Sequence, residues 1–235
     1  RLLTDDFRID PLQQLENAGR ALAELAVRMI DVPLVDAAVL VLAGKNNHGA
    51  AGLVAARHLL ARGAWVQIAG THPPEQYKDL SAHQLSTLQA MGATFLWEEE
   101  GSSSPLPEVD LLLDAMIGYG MRGDPRGRAR DLILQANGSN TPILSLDVPT
   151  GVDSEEGACF DPHIRAAATL ALALPKRGLL IPPARSACGR LFVADQAWPL
   201  DLYSEVGIDE PPLLFQESGL VELQVIEGAA YVTGV

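Results

Sequence analysis

The fold is decided by residues 37–52, which run Ala37-Ala38-Val39-Leu40-Val41-Leu42-Ala43 and then Gly44-Lys45-Asn46-Asn47-His48-Gly49-Ala50-Ala51-Gly52. The first seven residues form a continuous apolar run, as expected of a strand whose sheet is covered on both faces. The small residues after Gly44 lead directly into a helix-period segment at 49–62. This succession of strand, turn and helix predicts the first unit of an α/β fold.

The same alternation of apolar runs and helical segments continues along most of the chain. Further strands are predicted at 65–69, 93–97, 109–114, 143–147, 168–174 and 191–195. Further helices are predicted at 11–30, 75–91 and 124–137, the first with Pro11 in its first turn. We therefore expect one domain over residues 1–235, with a mostly parallel central sheet and an N-terminal helical segment, about 1–33, packed on that sheet.

Composition excludes several classes of protein. The 235 residues carry 17 Lys and Arg against 30 Asp and Glu, a formal net charge of -13, which repels nucleic-acid backbones and anionic membranes. The longest apolar runs, 37–43 and 166–174, are far shorter than the roughly 18 residues of a membrane span. The first residues do not show the pattern of a secretion signal, so we expect none, and the two cysteines match neither a disulfide framework nor a zinc or redox spacing. We expect a cytoplasmic protein without nucleic-acid or membrane partners.

The loop at 44–52 is the first candidate site, because open parallel sheets bind ligands beyond the carboxyl ends of their strands. Its amides at a helix start suit a phosphate or carboxylate. It is not a GxGxxG fingerprint, since Asn46 takes the third position and no acidic residue closes the second strand. It is not a Walker loop, since Ala50 follows Gly49 where lysine is needed. It is either an anion-binding loop or a turn whose glycines let the helix pack closely.

Two apolar strands end in aspartate, at Leu111-Leu112-Leu113-Asp114 and at Ile143-Leu144-Ser145-Leu146-Asp147. A carboxylate at such a position is costly to bury unless it binds a cation or accepts several hydrogen bonds. If the two strands are neighbours, both carboxylates lie at one edge of the sheet and suit acid–base chemistry or a hard cation. A purely structural role in turns is the alternative for both residues.

A second glycine-bearing loop follows Asp114 and contains Gly118-Tyr119-Gly120-Met121-Arg122-Gly123-Asp124. Asp124 before Pro125 predicts an N-cap with proline at the first helical position. Lys176 follows the sixth strand and could reach the same edge of the sheet, although a solvated position is the more common role of a loop lysine.

Five segments in the right order resemble the YjeF N-terminal domain family, the NAD(P)H-hydrate epimerases, and a sixth extends the similarity over nearly the whole chain. They are Leu15-Glu16-Asn17-Ala18-Gly19-Arg20, similar to MENAGR; Gly52-Leu53-Val54-Ala55-Ala56-Arg57-His58-Leu59, similar to GLVAARHL; Asp114-Ala115-Met116-Ile117-Gly118-Tyr119-Gly120, similar to DALFGTG; Asp147-Val148-Pro149-Thr150-Gly151-Val152-Asp153, similar to DIPSGLD; Pro175-Lys176-Arg177-Gly178-Leu179, similar to PKxGL; and Cys188-Gly189-Arg190-Leu191-Phe192-Val193-Ala194-Asp195, similar to CGxVxVAD. The ordered set is far more specific than any one loop.

The resemblance implies a Rossmann-like three-layer α/β/α sandwich that forms a homodimer. The activity implied is an isomerase that interconverts the R and S forms of hydrated NADH and NADPH in cofactor repair, without a dehydratase domain in this chain. Asp147 is the residue implied for proton transfer, and a potassium ion is implied at Asp114, Thr150 and His48 or Asn47. The positions implied for the nicotinamide dinucleotide substrate are Asn46, Asn47, His48, Gly49, Ala50, Ala51, Gly118, Tyr119, Gly120, Met121, Arg122, Gly123, Asp124 and Asp147.

The first loop departs from the family pattern GPGNNGGDG. In the ungapped match His48 replaces the second asparagine, a potassium ligand of the family, and Ala51 replaces the aspartate; a one-residue shift would instead keep Asn46 and Asn47 as the pair. Imidazole nitrogen is a poor substitute for an amide oxygen toward a hard cation. Two hypotheses follow. The intact second loop and the intact third loop, residues 147–153, favour an active epimerase, and the altered first loop favours a catalytically silent nucleotide-binding or protein-interaction module.

Overall fold

The structure is a computed structural model that describes residues 2–98, 101, 104–205, 207–208, 214–226 and 228–234. Within these residues the strands are β1 (Ala38–Ala43), β2 (Trp65–Gly70), β3 (Thr94–Leu96), β4 (Leu111–Ala115), β5 (Ile143–Leu146), β6 (Ala168–Leu172), β7 (Arg190–Ala194), β8 (Leu220–Ile226) and β9 (Ala229–Gly234). The helices are α1 (Leu2–Asp5), α2 (Pro11–Met29), α3 (Asn47–Ala61), α4 (Asp79–Ala90), α5 (Gly127–Gly138), α6 (Ala184–Ala187) and α7 (Leu200–Glu205), with short 3-10 turns at Leu34–Asp36, Pro74–Gln76 and Arg177–Leu180.

The strands form one sheet in the order β3-β2-β1-β4-β5-β6-β7-β8-β9. The first seven strands of this order are parallel, and β8 and β9 continue the sheet antiparallel. The chain winds outward from β1 to β3 and then returns to the other side of β1 with β4. The crevice between β1 and β4 is therefore the switch point at which a doubly wound sheet binds its ligands.

Side chains alternate between the two faces of the sheet, as the two-residue period of a strand requires. In β1, Val39 and Val41 pack in a core with α2, α3 and α4, whereas Leu40 and Leu42 pack in a second core with α5. A third core lies under α6 and the 3-10 turn before it. Helices thus cover both faces, and the predicted three-layer α/β/α sandwich with a mostly parallel sheet is confirmed.

The structure differs from the sequence prediction in several respects, including the following. Strands β8 and β9 were not predicted, although β8 shows the period-two burial of a half-exposed strand. Strands β5 and β6 end before Asp147 and Ala173, because both residues adopt a positive φ that turns the chain out of the sheet. The predicted helix start at Asp124 is wrong, since α5 begins at Gly127 with Arg126 as its N-cap.

Helix α2 is fixed at its start by reciprocal hydrogen bonds. The Asp10 carboxylate accepts from the Leu12 N–H at 2.7 Å, and the Gln13 side chain accepts from the Asp10 N–H at 2.7 Å. Pro11 occupies the first helical turn, as predicted. This cap places the first turn of α2 beside the carboxyl edge of the sheet, where it lines a cavity.

No helix in the described part of the chain is long and apolar enough to cross a membrane.

Candidate functional site

A cavity of about 960 Å³ lies beyond the carboxyl ends of β1, β4, β5 and β6. Its volume falls within the range typical of small-molecule and cofactor sites. The wall is formed by both predicted loops, the starts of α1 and α2, and the segment after β7. The lining residues are Leu3, Pro11, Gln14, Leu15, Ala18, Lys45, Asn46, Asn47, His48, Ala51, Lys78, Asp79, Gly118, Tyr119, Leu146, Asp147, Leu172, Lys176, Gln196 and Trp198.

The first loop is a tight turn that aims the start of α3 at this cavity. The side chain of Asn46 caps the helix by accepting from the Gly49 N–H at 3.3 Å. A Cβ at Gly49 would lie 1.7 Å from the Gly44 carbonyl, and a Cβ at Gly44 would lie 2.0 Å from the Met116 carbonyl. These glycines therefore have a packing role, which the sequence left open, while first-turn amides of the helix stay free of intrahelical acceptors.

His48 lies where the first and second loops meet. A Cβ at Gly118 would be 2.5 Å from His48 Nδ1, so the ring packs directly on the backbone of the second loop. Its Nε2 is enclosed and has no hydrogen-bond partner within the described residues. Burial lowers the pKa of His48 below its usual value, against the opposing effect of the nearby Asp147 and Asp114 carboxylates. The ring is therefore neutral near pH 7.

The second loop divides into two parts. Gly118 and Tyr119 line the cavity, and the side chain of Tyr119 is 76% exposed at its mouth. The remaining expected contact residues Gly120, Met121, Arg122, Gly123 and Asp124 lead away from the cavity wall along the protein surface. Asp124 accepts a hydrogen bond from the Asp161 N–H at 3.0 Å, so it fastens this loop to the chain after β5 instead of capping a helix.

The first-loop residues divide in the same way. Asn46, Asn47, His48 and Ala51 line the cavity, whereas Gly49 and Ala50 are buried beneath it in the first turn of α3.

Asp147 occupies a strained turn at the floor of the cavity. Its φ is 58°, and the Val148 N–H donates to the Leu146 carbonyl at 2.6 Å across it, which closes a three-residue turn. Such a turn with positive φ is rare outside glycine. Strain of this kind persists where the surrounding structure holds it, and it concentrates at functional sites. The side chain is 5% exposed and faces the cavity.

Lys176 is the partner of Asp147. Its Nζ donates a hydrogen bond to Asp147 Oδ1. The same Nζ also donates to the Leu172 carbonyl, at 3.2 Å, and the Leu172 N–H donates to Asp147 Oδ1 at 3.1 Å. The prediction that Lys176 is solvated, as loop lysines commonly are, is therefore wrong. The turn after β6 brings its ammonium back over the end of β5. The cavity thus contains a paired carboxylate and ammonium.

Asp114 belongs to the same edge of the sheet, since β4 and β5 are neighbours, yet its environment is different. It is fully buried and accepts hydrogen bonds from Ser145 Oγ at 2.8 Å, the Thr150 N–H at 2.9 Å, Thr150 Oγ1 at 2.6 Å and the Met116 N–H at 3.4 Å. The two neighbouring strands thus bring both aspartates to one edge of the sheet, in different surroundings. Asp114 joins three chain segments, and Asp147 faces the cavity.

The residues expected to hold potassium do not form an oxygen-rich set around a free position. Asp114 is saturated by protein donors, the amide oxygen of Asn46 caps α3, and Asn47 is exposed at the mouth. His48 offers nitrogen, which hard cations bind poorly. Among the described residues no group of three or more acidic, histidine or cysteine side chains could hold a metal ion. The donor set therefore does not fit a potassium ion.

Sequence reasoning missed several cavity residues. Gln196 and Trp198 come from the segment after β7, and Lys78 comes from the residue before α4. The Trp198 Nε1 is buried and has no hydrogen-bond partner within the described residues. The position of 196–198 after a predicted parallel strand was the available signal, because such segments end at the same edge of the sheet.

Fold and site together define a doubly wound α/β protein with a ligand cavity at the switch point of its sheet. Within that class, the chain belongs to the family described as YjeF-related protein N-terminus, which matches residues 12–178. The resemblance drawn from the sequence segments is thereby confirmed.

The curated relatives of the chain are named as enzymes of NAD(P)H-hydrate repair or epimerisation. The chain is 37% identical to an NAD(P)H-hydrate epimerase of Dehalogenimonas lykanthroporepellens, over 97% of this chain and 89% of the relative. It is 38% identical to an NAD(P)H-hydrate epimerase of Truepera radiovictrix, over 88% and 90% of the two chains. It is 34% identical to a bifunctional NAD(P)H-hydrate repair enzyme of Moorella thermoacetica, of which it covers 39%. The crystal structure of yeast ynu0, YNL200c, has the same fold, with a TM-score of 0.77, 24% identity and 94% coverage of each chain.

Proposed function

We propose that this chain is an NAD(P)H-hydrate epimerase, an isomerase in which Asp147 transfers the proton. The observation that carries the proposal is the Asp147 carboxylate, which is held at the floor of the cavity by Lys176 and the Leu172 N–H. The names and coverage of the two full-length relatives support the same activity.

Epimerisation of the hydrate requires the hydroxyl-bearing carbon to lose its configuration. This happens when the carbon–hydroxyl bond breaks while the ring nitrogen forms an iminium, or when the ring opens. In the first route the leaving hydroxide takes up a proton, and the water that returns on the other face gives one back. A carboxyl group at hydrogen-bond distance from both oxygens can give the proton in the first step, is a carboxylate between the two steps, and takes a proton back from the water in the second.

Lys176 supports this chemistry as a positioning residue. Its ammonium fixes the Asp147 side chain and balances the charge of the carboxylate in a nearly closed place. The strained turn at Asp147 directs the side chain into the cavity instead of along the sheet. The pair returns to its starting protonation after each cycle, as an isomerase requires.

Charge in the cavity suits a dinucleotide. The chain has three lysines, Lys45, Lys78 and Lys176, and all three line this cavity in a protein of net charge -13. Lys45 Nζ is hydrogen-bonded to the neutral Gln76 side chain at 3.2 Å. Lys45 and Lys78 are exposed at the mouth near the start of α3, where the helix dipole also favours an anion. They support binding of the substrate phosphates.

The proposal is tested by turnover. R-form hydrated NADH is supplied with an S-specific dehydratase and potassium, and loss of the hydrate is followed for the wild type and the Asp147→Asn variant. We expect the variant to lose at least about 10²-fold in kcat, the usual contribution of a general acid–base group. Asp36→Asn, an exposed aspartate before β1, is the matched control and keeps wild-type turnover.

Equal turnover of Asp147→Asn and Asp36→Asn would contradict the role of Asp147. Absence of turnover in the wild type, together with thermal stabilisation by a pyridine nucleotide, would contradict the epimerase and favour a silent nucleotide-binding module.

We further propose a homodimer in the cytoplasm. The family resemblance supports the dimer, and the two free cysteines fit a reducing compartment. Light scattering on the purified protein tests the dimer.

A further inference from the structure

A further inference concerns whether the cavity needs a potassium ion. It deepens the proposed function, because it concerns the same site. Three features of the described residues bear on it: the hydrogen bonds of Asp114, the oxygens of Thr150, and the side chain at position 48.

The Asp114 carboxylate is engaged by protein donors at most of its lone-pair sites. A carboxylate offers about four such sites; Ser145 and Thr150 donate three hydrogen bonds of 2.6–2.9 Å, and the Met116 N–H makes a longer contact of 3.4 Å. Because the group is fully buried, a cation could bind only by displacing one of these donors, which would then lose its partner away from water.

The oxygens of Thr150 are engaged as well. Its hydroxyl donates to Asp114 and accepts from the Ile117 N–H at 3.1 Å, and its carbonyl accepts from the Ile164 N–H at 2.8 Å. These bonds join the segments after β4 and β5 to the chain before β6. These protein hydrogen bonds connect the second and third loops.

Position 48 contributes an imidazole where an amide oxygen is expected. The ring fills the space between α3 and Gly118, and its enclosed Nε2 faces no carboxylate within hydrogen-bond distance. The two neighbouring asparagines do not replace the amide, because Asn46 caps α3 and Asn47 is exposed. A nitrogen at this position, in either tautomer, is a poor partner for a hard cation.

We propose that this chain works without a potassium ion. The His48 side chain fills the place of the cation's amide ligand, and the hydrogen bonds of Asp114 with Ser145 and Thr150 hold the second and third loops together. His48 is then the residue that decides the ion requirement. Its imidazole leaves the hydrogen bonds of Asp114 in place, whereas an amide oxygen at position 48 lets a potassium ion displace the long 3.4 Å contact from the Met116 N–H and introduces a response to potassium.

The test measures melting temperature and turnover in potassium, sodium and choline chloride at equal ionic strength. The proteins are the wild type, His48→Asn, the double variant His48→Asn with Ala51→Asp, and His83→Asn. His83 is an exposed histidine on α4, outside this cavity, so its variant controls for a histidine-to-asparagine change in itself. If His48→Asn fails to fold, His48→Gln supplies the same amide oxygen.

We expect the wild type and His83→Asn to have the same melting temperature and turnover in all three salts. The position-48 variants are expected to melt higher in potassium than in choline, because an ion that binds only the folded state stabilises it. A potassium-specific rise for the wild type would overturn the proposal. Position-48 variants that respond equally to all three salts would also overturn it, since His48 would not decide the requirement.

The melting temperature needs no turnover, so the two proposals fail separately. A wild type without turnover in any salt contradicts the epimerase. A wild type with turnover that depends on potassium contradicts only the ion independence.

Discussion

Thr150 holds the buried carboxylate of Asp114 at both of its oxygens. The Thr150 hydroxyl donates to Oδ1 at 2.6 Å and the Thr150 N–H donates to Oδ2 at 2.9 Å, across 36 residues of sequence. This contact separates the roles of the two aspartates that end neighbouring strands. Asp114 is satisfied inside the protein, and Asp147 is left to face the cavity.

Removal of the Thr150 hydroxyl should therefore reduce stability. Thr150→Val keeps the shape of the side chain but leaves Asp114 Oδ1 without its shortest bond, at a cost of about 1–3 kcal/mol. Thr150→Ser keeps the hydroxyl and should stay much closer to the wild type. Urea denaturation measures both values, and equal free energies of unfolding for the two variants would show that the bond to Asp114 contributes nothing.

Lys176→Met should lower kcat more than it affects KM. The substitution removes the ammonium that fixes Asp147, and loss of positioning by about 1 Å typically costs about 10²-fold in rate. Steady-state kinetics at saturating hydrate measures the effect, with circular dichroism as the check on folding. An unchanged kcat in a folded Lys176→Met variant would contradict the positioning role.

Lys45→Gln and Lys78→Gln should affect KM more than kcat, the opposite of Lys176→Met. Both side chains are exposed at the mouth of the cavity, whereas Asp147 is buried at its floor, so their loss removes attraction to phosphate without touching the reacting atoms. We expect KM to rise with kcat unchanged, and the difference from the wild type to shrink at high salt. A fall in kcat for either variant would place that lysine in the chemical step.

Stability should fall at alkaline pH because of two buried acids. Burial raises the pKa of Tyr77 to about 12, against an ordinary value of 10.0, and burial raises the pKa of Cys188 to about 12 from 9.0. The unfolded chain loses these protons first, so the stabilisation is complete below about pH 9 and is lost as pH rises toward 12.

Chemical denaturation from pH 8 upward measures this decline. Tyr77→Phe should flatten it, at a cost of about 1 kcal/mol at neutral pH for the lost bond to the Ala43 carbonyl. If the free energy of unfolding of Tyr77→Phe falls with pH as steeply as that of the wild type, groups other than Tyr77 cause the loss of stability.

The architecture and the edge of the sheet where the site lies could be predicted from the sequence. Apolar runs such as 37–43 report burial on both faces, and residues that follow parallel strands meet at one edge whatever the rest of the fold does. The loops at 44–52 and 118–124 and the aspartates 114 and 147 were found in this way. Strands β8 and β9 were not predicted; they follow the last predicted strand, 191–195, and pair antiparallel outside the parallel part of the sheet.

The role of each polar residue, in contrast, depends on contacts between distant segments that appear only in the folded protein. A buried aspartate can bind a ligand only if protein donors do not already occupy its carboxylate. For Asp114 these donors are Ser145 and Thr150, which lie 31 and 36 residues away in the sequence, so no local pattern reveals them. Lys176 became the partner of Asp147 because two adjacent strands end in similar positive-φ turns, at Asp147 and Ala173. Hydrophobic periodicity is a local property of the chain, whereas hydrogen-bond satisfaction depends on which segments packing brings together.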